Sequence, residues 1–479
     1  MMADTGILAA AAYVPATRLV RAVIADAHAW ANPGLKAHAK GCRAAANWDE
    51  DAITMAVAAG RRCLRASAAP NIARLSFATT TAPFLDRANA AIIAQALHLG
   101  DEIQTGEATG SLRAATGALR DGLAAGGAGH LLLAADKRMA KPASLQELRF
   151  GDAAAALLLG TGDVIARPLG AASLSVDLVD HYRSHETHGD YAVEARWLRD
   201  AGLAKILPRV IARALADAGL DASAIDWVIV PFSPAMVKKP LAEAGLETAK
   251  LADPLLAQVG DSGAAHPLLM LVDVLATAKA GERIVMIGFG QGADALIWQV
   301  TDAIEARRPA AVGAETGRRD DQYIKFLSHR GEIALDWGIR AERDNRTALS
   351  TFHRKSDAVT GFIGGVCRQC GTPQFPKARA CVACGAIAVQ DDYDFTDRAA
   401  TLKTFTQDWQ AHSPSPPYVY GNVAFQGGGN VFMELTDCDQ APLAIDMNLA
   451  MVFRIKDHDA RRGFRRYFWK AVPLREGQG

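Results

Sequence analysis

Four cysteines in the last third of the chain have the spacing of a structural metal site. In the segment CRQCGTPQFPKARACVAC, Cys367 and Cys370 form one C-x2-C pair, and Cys381 and Cys384 form the other. A glycine follows each pair and lets backbone N–H groups turn toward the thiolates. Four thiolates fill the coordination sphere of tetrahedral zinc and leave no open position for a substrate. The spacing therefore predicts a structural zinc site in a reducing, cytoplasmic compartment, with an iron centre or disulfides as alternatives.

The composition excludes several classes of protein. Of the 479 residues, 50% are hydrophobic and 22% are charged, and 52 basic residues balance 52 acidic ones. The length predicts roughly two to four domains, and the neutral balance gives no support for nucleic acid or an anionic membrane as a partner. No apolar run reaches the roughly 18 residues of a membrane span. The short N-terminus has no basic region, so we interpret it as a first strand rather than a signal peptide.

A weak internal repeat occupies the first 300 or so residues. One passage is GSLRAATGALRDGLAAGGAGHLLLAADK, from Gly110, and the other is GDSGAAHPLLMLVDVLATAKAGERIVMIGFG, from Gly260. In each, a glycine turn leads into a helix of small residues, a short turn and an apolar strand. Continuous apolar strands are typical of a sheet that is covered on both faces. We therefore expect two similar α/β halves around central helices, a five-layer sandwich whose cleft lies where the helix N-termini converge.

The chain changes character near residue 305. The segment EARRPAAVGAETGRRDD is rich in charge, glycine, alanine and proline, which is typical of a linker. Beyond the cysteines, runs such as YVYGNVAFQGGGNVFMELTD and LAIDMNLAMVFRIKD favour short antiparallel strands and a small barrel. The predicted regions are the two α/β halves (1–165 and 166–305), a linker with a helical lead-in (306–358), the cysteine segment (359–390) and the barrel (391–479).

The order of these motifs resembles the thiolase superfamily, specifically the branch of 3-hydroxy-3-methylglutaryl-CoA (HMG-CoA) synthase and ketoacyl synthase III. The stretches that carry this resemblance are GILAAAAYVP, DEDAITMAV, DHYR, GDAAAALLLG and GFGQGADA. The C-terminal part resembles the DUF35 proteins, a zinc ribbon followed by an OB fold, through GGVCRQCGTPQFP and RRYFWKAVP. The resemblance implies a thiolase-like α/β sandwich fused to a DUF35 module. It also implies an acyl-CoA substrate and a homodimer or higher homo-oligomer, with another thiolase as a further partner.

The chain departs from the pattern of this branch at each position where the resemblance would place a catalytic group. Leu112 stands in place of the acyl-accepting cysteine, and a leucine forms no thioester. Phe232 stands in place of the histidine, Asp261 in place of the asparagine, and Thr80 or Thr81 in place of the glutamate. We therefore do not expect an acyl-cysteine, and we assign the leucine, the phenylalanine and the threonines to substrate binding.

The remaining candidate residues each have a functional and a structural interpretation. Ser111 is either a surrogate nucleophile or a helix N-cap. His266 is either a general base oriented by Asp261 or a hydrogen-bonded core histidine, and Asp261 is alternatively an N-cap or itself a proton acceptor. Tyr182 either polarises a hydroxyl or carbonyl group or packs within the structure, and we assign the adjacent Arg183 to substrate binding.

Three hypotheses on function follow. The first is carbon–carbon bond cleavage or formation without an acyl-cysteine, most simply retro-aldol cleavage of a β-hydroxyacyl-CoA. This reaction needs a base for the β-hydroxyl and donors for the enolate, and the backbone amides of Ser111 and Leu112 are candidate donors. The second is an HMG-CoA synthase-like or ketoacyl synthase-like acyltransferase, and the third is a non-catalytic acyl-CoA-binding scaffold for another thiolase. The neutral charge and the lack of an obvious basic, aromatic groove argue against single-stranded nucleic acid as a ligand of the OB fold.

Overall fold

Two units divide the chain in a computed structural model that describes residues 5–67, 71–127, 129–187, 189–192, 194–313, 317–341, 346–440 and 442–474. Unit 1 comprises residues 1–46, 51–94 and 101–323. Unit 2 comprises residues 47–50, 95–100 and 324–479. The main division follows Tyr323, inside the segment that the sequence predicts as linker and helical lead-in.

The strands up to the end of unit 1 are β1 (Thr5–Tyr13), β2 (Thr17–Val20), β3 (Cys42–Ala45), β4 (Arg74–Ala78), β5 (Gln104–Ala108), β6 (His130–Lys137), β7 (Asp152–Thr161), β8 (Ala166–Ser175), β9 (His181–Tyr182), β10 (Tyr191–Ala192), β11 (Trp227–Ile229), β12 (Lys250–Leu251), β13 (Arg283–Phe289), β14 (Gly292–Val300) and β15 (Arg318–Asp320). The α-helices are α1 (Arg21–Ala27), α2 (Ala52–Arg65), α3 (Asn89–Ala96), α4 (Ala114–Ala125), α5 (Leu145–Arg149), α6 (Ala195–Trp197), α7 (Ala204–Ala218), α8 (Pro234–Glu243), α9 (His266–Leu275) and α10 (Ile304–Arg307). Short 3-10 turns cover Pro33–His38, Ala222–Ala224 and Gly263–Ala265, and a π-helical turn covers Leu198–Leu203.

The internal repeat of the sequence is a repeat of strand order. Across the main sheet the first half has the order β1-β7-β6-β4-β5, and the second half has the order β8-β14-β13-β11-β12. When the strands of each half are numbered along the chain, both orders read 1-5-4-2-3. Strand β4 is parallel to its neighbours β5 and β6, as β11 is to β12 and β13. The two halves join where β1 pairs with β8, at Ile7 and Ala166.

Helices cover the sheet in layers. Between the two half-sheets lie α4 and α9, whose Leu119, Leu123 and Leu268 are buried together with Leu157 of β7 and Trp298 of β14. On the outer faces, α2 packs on β1, β6 and β7, and α7 packs on β8 and β14. Burial on both faces explains the continuous apolar strands of the sequence. The predicted five-layer sandwich of two similar halves is confirmed.

Unit 2 contains two antiparallel sheets. Its elements are α11 (Tyr323–Arg330, which starts at the last residue of unit 1), α12 (Leu349–Arg354), α13 (Ser356–Val359), β16 (Ile363–Cys367), β17 (Pro373–Gln374), β18 (Gln390–Asp394), β19 (Ala400–Asp408), β20 (Tyr418–Phe425), β21 (Asn430–Glu434), β22 (Asn448–Asp459) and β23 (Phe464–Pro473), with 3-10 turns at Gly338–Ala341 and Cys438–Gln440. The order β17-β16-β18 forms the sheet next to the cysteines, and β21-β20-β19-β22-β23 forms the larger sheet. A bridge between Leu435 and Ala471 returns the larger sheet from its β21 end to β23, as in a small barrel.

The barrel has an aromatic core. The ring of Phe362 is fully buried, and its ring neighbours are Phe375, Phe395, Phe425, Phe468 and Trp469. The predicted zinc-ribbon and OB architecture is confirmed in the order of its strands. Among the described residues, no helix has the length and apolar character needed to cross a membrane.

Candidate functional site

The turn that starts α4 meets the second half of unit 1. The hydroxyl of Ser111 donates a hydrogen bond to the carbonyl of Gly290 (2.9 Å) and accepts one from the backbone N–H of Arg113 (3.2 Å). The guanidinium of Arg113 bonds the same carbonyl (2.9 Å) and pairs with buried Asp294 (3.1 Å). The serine hydroxyl therefore fixes this turn, although the N-cap residue of α4 is Arg113 and not Ser111.

Gly290 is a glycine because the α4 turn lies against it. A Cβ at this position would lie 2.8 Å from the Ser111 hydroxyl oxygen and 3.1 Å from the backbone nitrogen of Leu112. The Leu112 amide has no hydrogen-bond partner within the described residues, and its side chain is half-buried. The turn therefore offers a backbone donor beside an apolar side chain.

The buried carboxylate of Asp136, at the end of β6, organises the threonines that follow β4. It accepts hydrogen bonds from the hydroxyls of Thr79 (2.9 Å), Thr80 (3.0 Å) and Thr81 (3.0 Å). The backbone N–H groups of Thr80 (2.7 Å) and Ala264 (2.8 Å) also donate to it. The candidate residues Thr80 and Thr81 are thus held by a carboxylate that the sequence analysis did not single out.

Arg138 connects three further polar residues. Its buried guanidinium pairs with Asp190 (2.8 Å) and Asp261 (2.9 Å) and lies 3.6 Å from the ring centroid of Phe150. Burial by itself would lower the pKa of Arg138, but the two carboxylates raise it above its ordinary value. Arg183 pairs with Asp190 (3.3 Å), so the candidate residues Arg183 and Asp261 belong to one network.

The network closes on the threonine turn. The guanidinium of Arg183 donates to the backbone carbonyl of Thr80. The amide of Gly263 donates to the Asp261 carboxylate (2.9 Å), and a Cβ on Gly263 would lie 2.3 Å from a carboxylate oxygen of Asp136. The 3-10 turn at Gly263–Ala265 therefore lies between the two carboxylates, and α4 contacts this turn.

The predicted pairing of Asp261 with His266 does not form. His266 is fully buried, and its Nε2 bonds the carbonyl of Pro254 (2.8 Å). Its Nδ1 accepts the backbone N–H of Ser262 (3.2 Å), so the proton is on Nε2 and the ring is neutral. Burial lowers the pKa of His266. Because its lone pair is already occupied, the general-base prediction for His266 is corrected to that of a core histidine.

Asp261 keeps a partly open carboxylate. Its side chain is 30% exposed, whereas that of its partner Arg138 is 3% exposed. Burial alone would raise the pKa of Asp261, but the Arg138 guanidinium holds it below its ordinary value. The carboxylate is therefore ionised at neutral pH.

Two other candidate residues lie apart from this network. Tyr182 is 51% exposed on the β9–β10 hairpin, and its ring centroid lies 5.3 Å from that of Tyr191. Phe232 packs against Phe289 (5.5 Å between centroids) within the core beneath α7 and α8. In the described part of the chain, no hydrogen bond joins either residue to Asp136 or Arg138.

The four cysteines of unit 2 come together as the spacing predicts. Their sulfur atoms all lie within 4.8 Å of one another, with 3.8 Å between Cys367 and Cys384 and 3.6 Å between Cys370 and Cys381. Tetrahedral zinc with Zn–S bonds of about 2.3 Å places its sulfurs about 3.8 Å apart. The N–H groups of left-handed Gly371 and Gly385 donate to the carbonyls of Cys367 and Cys381. The cysteines are not paired as disulfides, and their arrangement fits a zinc ion.

The remaining cysteines are Cys42, Cys63 and Cys438. Cys63 lies in α2, is fully buried, and has a pKa raised to about 12 by burial. Cys42 is buried in β3, and Cys438 lies in unit 2. None of them occupies the start of α4.

Comparison with known proteins agrees with this architecture. Residues 396–454 match the family described as the ChsH2 C-terminal OB-fold domain. The hydroxymethylglutaryl-CoA synthase of Thermococcus sibiricus is 29% identical over 351 residues, which cover 69% of this chain and 97% of that protein. The corresponding enzyme of Aeropyrum pernix is 28% identical over 358 residues, which cover 71% and 94%.

Solved structures share the α/β fold over about two thirds of the chain. The 3-oxoacyl-(acyl carrier protein) synthase III of Pseudomonas aeruginosa superposes with a TM-score of 0.55 at 18% identity, covering 64% of this chain and 99% of that one. An HMG-CoA synthase complexed with CoA gives 0.52 at 18% identity, covering 65% and 89%. The chain is thus a thiolase-like α/β region, similar in sequence to HMG-CoA synthases, fused to an OB-fold domain of the DUF35 type.

Proposed function

We propose that the chain acts on an acyl-CoA thioester and cleaves or forms a carbon–carbon bond without an acyl-cysteine intermediate. The sequence similarity to hydroxymethylglutaryl-CoA synthases and the fold shared with a CoA-bound structure support the substrate class. The observation that carries the proposal is Leu112, an apolar side chain at the start of α4 beside Gly290. A reaction that proceeds at this turn has no thiolate to use.

The reaction that we favour is retro-aldol cleavage of a β-hydroxyacyl-CoA. A base removes the β-hydroxyl proton, the bond between the α and β carbons breaks, and its electron pair passes into the thioester as an enolate. Protonation of the α carbon then releases a shorter acyl-CoA beside an aldehyde or ketone. The free Leu112 amide is suited to bond the thioester oxygen as its negative charge develops.

Asp261 is the base that we propose. Its carboxylate is ionised, is partly open, and is held by Arg138 and by the amide of Gly263. These two donors fix its direction, although they also make it a weaker base than a free carboxylate. Thr80, Thr81 and Arg183 share its network and supply polar groups for the substrate.

A second candidate is an acyltransferase of the HMG-CoA synthase or ketoacyl synthase type, which the sequence relatives favour. It needs a nucleophile other than Leu112. The nearest hydroxyl along the chain belongs to Ser111, and it already donates to Gly290. A non-catalytic scaffold that binds acyl-CoA would also lack this thiol. The experiment must therefore distinguish an aldolase, an acyltransferase and a scaffold.

The test combines intact mass with product analysis on the full chain. After incubation with acetyl-CoA we expect no mass increase, and with a panel of β-hydroxyacyl-CoAs we expect release of a shorter acyl-CoA. Asp261→Asn should lower turnover by about 100-fold or more, whereas Asp121→Asn on the exposed face of α4 should not. Thermal melting of both variants controls for folding.

Two results would contradict the proposal. A stoichiometric acyl adduct on Ser111 would establish the acyltransferase. Tight CoA binding without turnover of any β-hydroxyacyl-CoA would establish the scaffold.

A further inference from the structure

An open cavity of about 440 Å³ lies within unit 2, between the α12–α13 segment and strands β22 and β23. This volume is in the range of small-molecule sites. Four cationic side chains line the cavity, and no aspartate or glutamate is found among its described lining residues. The four are Arg346, Lys355, Lys456 and Arg466. The overall neutral charge of the chain gives no hint of this local concentration.

A β-bulge places two of the cations side by side. The pairing of β22 with β23 passes from Ile455–Tyr467 to Asp457–Arg466, so Lys456 is the extra residue of the bulge. A bulge twists the strand locally and redirects its side chains. Lys456 therefore lines the cavity together with Arg466, its neighbour on the opposite strand.

Each of these two cations has one ion-pair partner among the described residues. Lys456 pairs with Glu434 (2.8 Å), and Arg466 pairs with Asp457. Neither carboxylate lines the cavity. Arg466 is half-buried and lines the cavity, so part of its side chain borders the space where an anion would bind.

The opposite wall of the cavity, formed by the α12–α13 segment, supplies an unpaired positive charge and an apolar surface. Lys355 follows α12 and is exposed, and its side-chain ammonium group has no partner among the residues that the structure describes. Phe352 of α12 and, on the facing wall, Phe468 of β23 are half-buried and line the same cavity. Cations and aromatic rings in one cavity suit a ligand that carries several negative charges on an apolar, planar body.

We propose that this cavity binds a small phosphate ester with an aromatic ring, of the nucleoside diphosphate class. Its phosphates would meet Lys355, Lys456 and Arg466, and its ring would pack against Phe352 and Phe468. Arginine and lysine both bind phosphate oxygens through charge-assisted hydrogen bonds, which exceed neutral ones in strength. This proposal rests on unit 2 alone and is independent of the function proposed for unit 1.

Calorimetric titration of the full chain with ADP tests the site. We expect binding that weakens as salt is added, and a dissociation constant raised about tenfold or more in Lys355→Glu. Arg461→Glu, the same charge change at an exposed turn residue outside the cavity, should leave the dissociation constant within about twofold. Phe352→Ala should weaken ADP but not inorganic pyrophosphate, which has no ring.

Other outcomes would overturn the proposal. If the wild-type chain does not bind ADP, or if Lys355→Glu binds ADP as tightly as the wild type, the cavity is not an ADP site. Decanoate binding more tightly than ADP would assign the cavity to a fatty carboxylate instead. Pyrophosphate binding as tightly as ADP would show that the ring contributes nothing. Thermal melting of each variant separates lost binding from lost folding.

Discussion

Asp136 accepts five hydrogen bonds in unit 1, yet its sequence context, HLLLAADK, is that of any strand that ends in a polar residue. Four of its donors lie more than 50 residues before it, in the turn after β4, and the fifth lies 128 residues after it. The resemblance pointed to Thr80 and Thr81 by position. The role of the Asp136 carboxylate became visible only in the structure. The parallel pairing of β4 with β6 brings the ends of both strands together and so places Asp136 beside these threonines.

His266 illustrates a different reason for an incorrect prediction. An N-cap at Asp261 would start the helix near Ser262 and place His266 over a turn further along it. In the structure a 3-10 turn covers Gly263–Ala265 and α9 begins at His266 itself. The ring therefore folds back onto the Ser262 amide. Sequence patterns do not locate the first residue of a helix to within a few positions. An error of that size changes which groups a side chain contacts, and so changes its role.

We predict that His266→Ala lowers the free energy of unfolding by about 1–3 kcal/mol and leaves the turnover of the folded protein unchanged. The substitution leaves the Ser262 amide and the Pro254 carbonyl without their partner in the interior. Urea unfolding and activity should be measured on one preparation, with His185→Ala, an exposed loop variant, as the control. A variant that keeps its stability and loses turnover would restore the general base.

The same histidine predicts a pH dependence. Burial lowers the pKa of His266 in the folded state, so below about pH 6.5 the unfolded chain binds a proton that the folded chain does not. Its contribution to stability is therefore complete above that pH and is lost as the pH falls. Unfolding at pH 7.5 and pH 5.5 should show a smaller pH-dependent loss of stability in His266→Ala than in the wild type.

Among the elements, the cysteine ribbon was the most predictable. Its four cysteines lie within one segment of 18 residues, so their spacing alone brings the sulfurs together. The barrel strands were expected in kind, but not their bounds or their register. The Lys456 bulge, for example, depends on how β22 pairs with β23. Local ligand sets are visible in sequence, whereas registers depend on remote partners.

We predict about one zinc ion per chain, measured by elemental analysis of purified protein. Cys370→Ser should lower the zinc content and the melting temperature of unit 2, because a ribbon of this kind depends on its metal for folding. Cys438→Ser removes a half-buried thiol of the same unit and should keep the zinc. A fully stable protein without metal would contradict this prediction.

At the scale of the molecule, the sequence repeat predicted two similar halves but not how their sheets join. The joint is the pairing of β1 with β8 at Ile7 and Ala166, between segments about 160 residues apart. Gly6 makes this approach possible, since a Cβ there would lie 2.5 Å from the carbonyl oxygen of Ala166. The requirement at this pairing is for space and not for side-chain chemistry.

The pairing of β1 with β8 leads to a prediction on which the structure and the intrinsic propensity of glycine disagree. By intrinsic propensity alone, replacing glycine with alanine should raise the free energy of unfolding both at Gly6 in β1 and at Gly117 in α4. A Cβ added at Gly117 would meet no atom within 4 Å, so Gly117→Ala should raise the free energy of unfolding by about 0.5–1 kcal/mol. Gly6→Ala should lower it by about 1–3 kcal/mol, because the clash is with backbone that cannot rotate away. Denaturant unfolding of the two variants gives opposite signs if the half-sheets join at β1 and β8, and equal signs would contradict that joint.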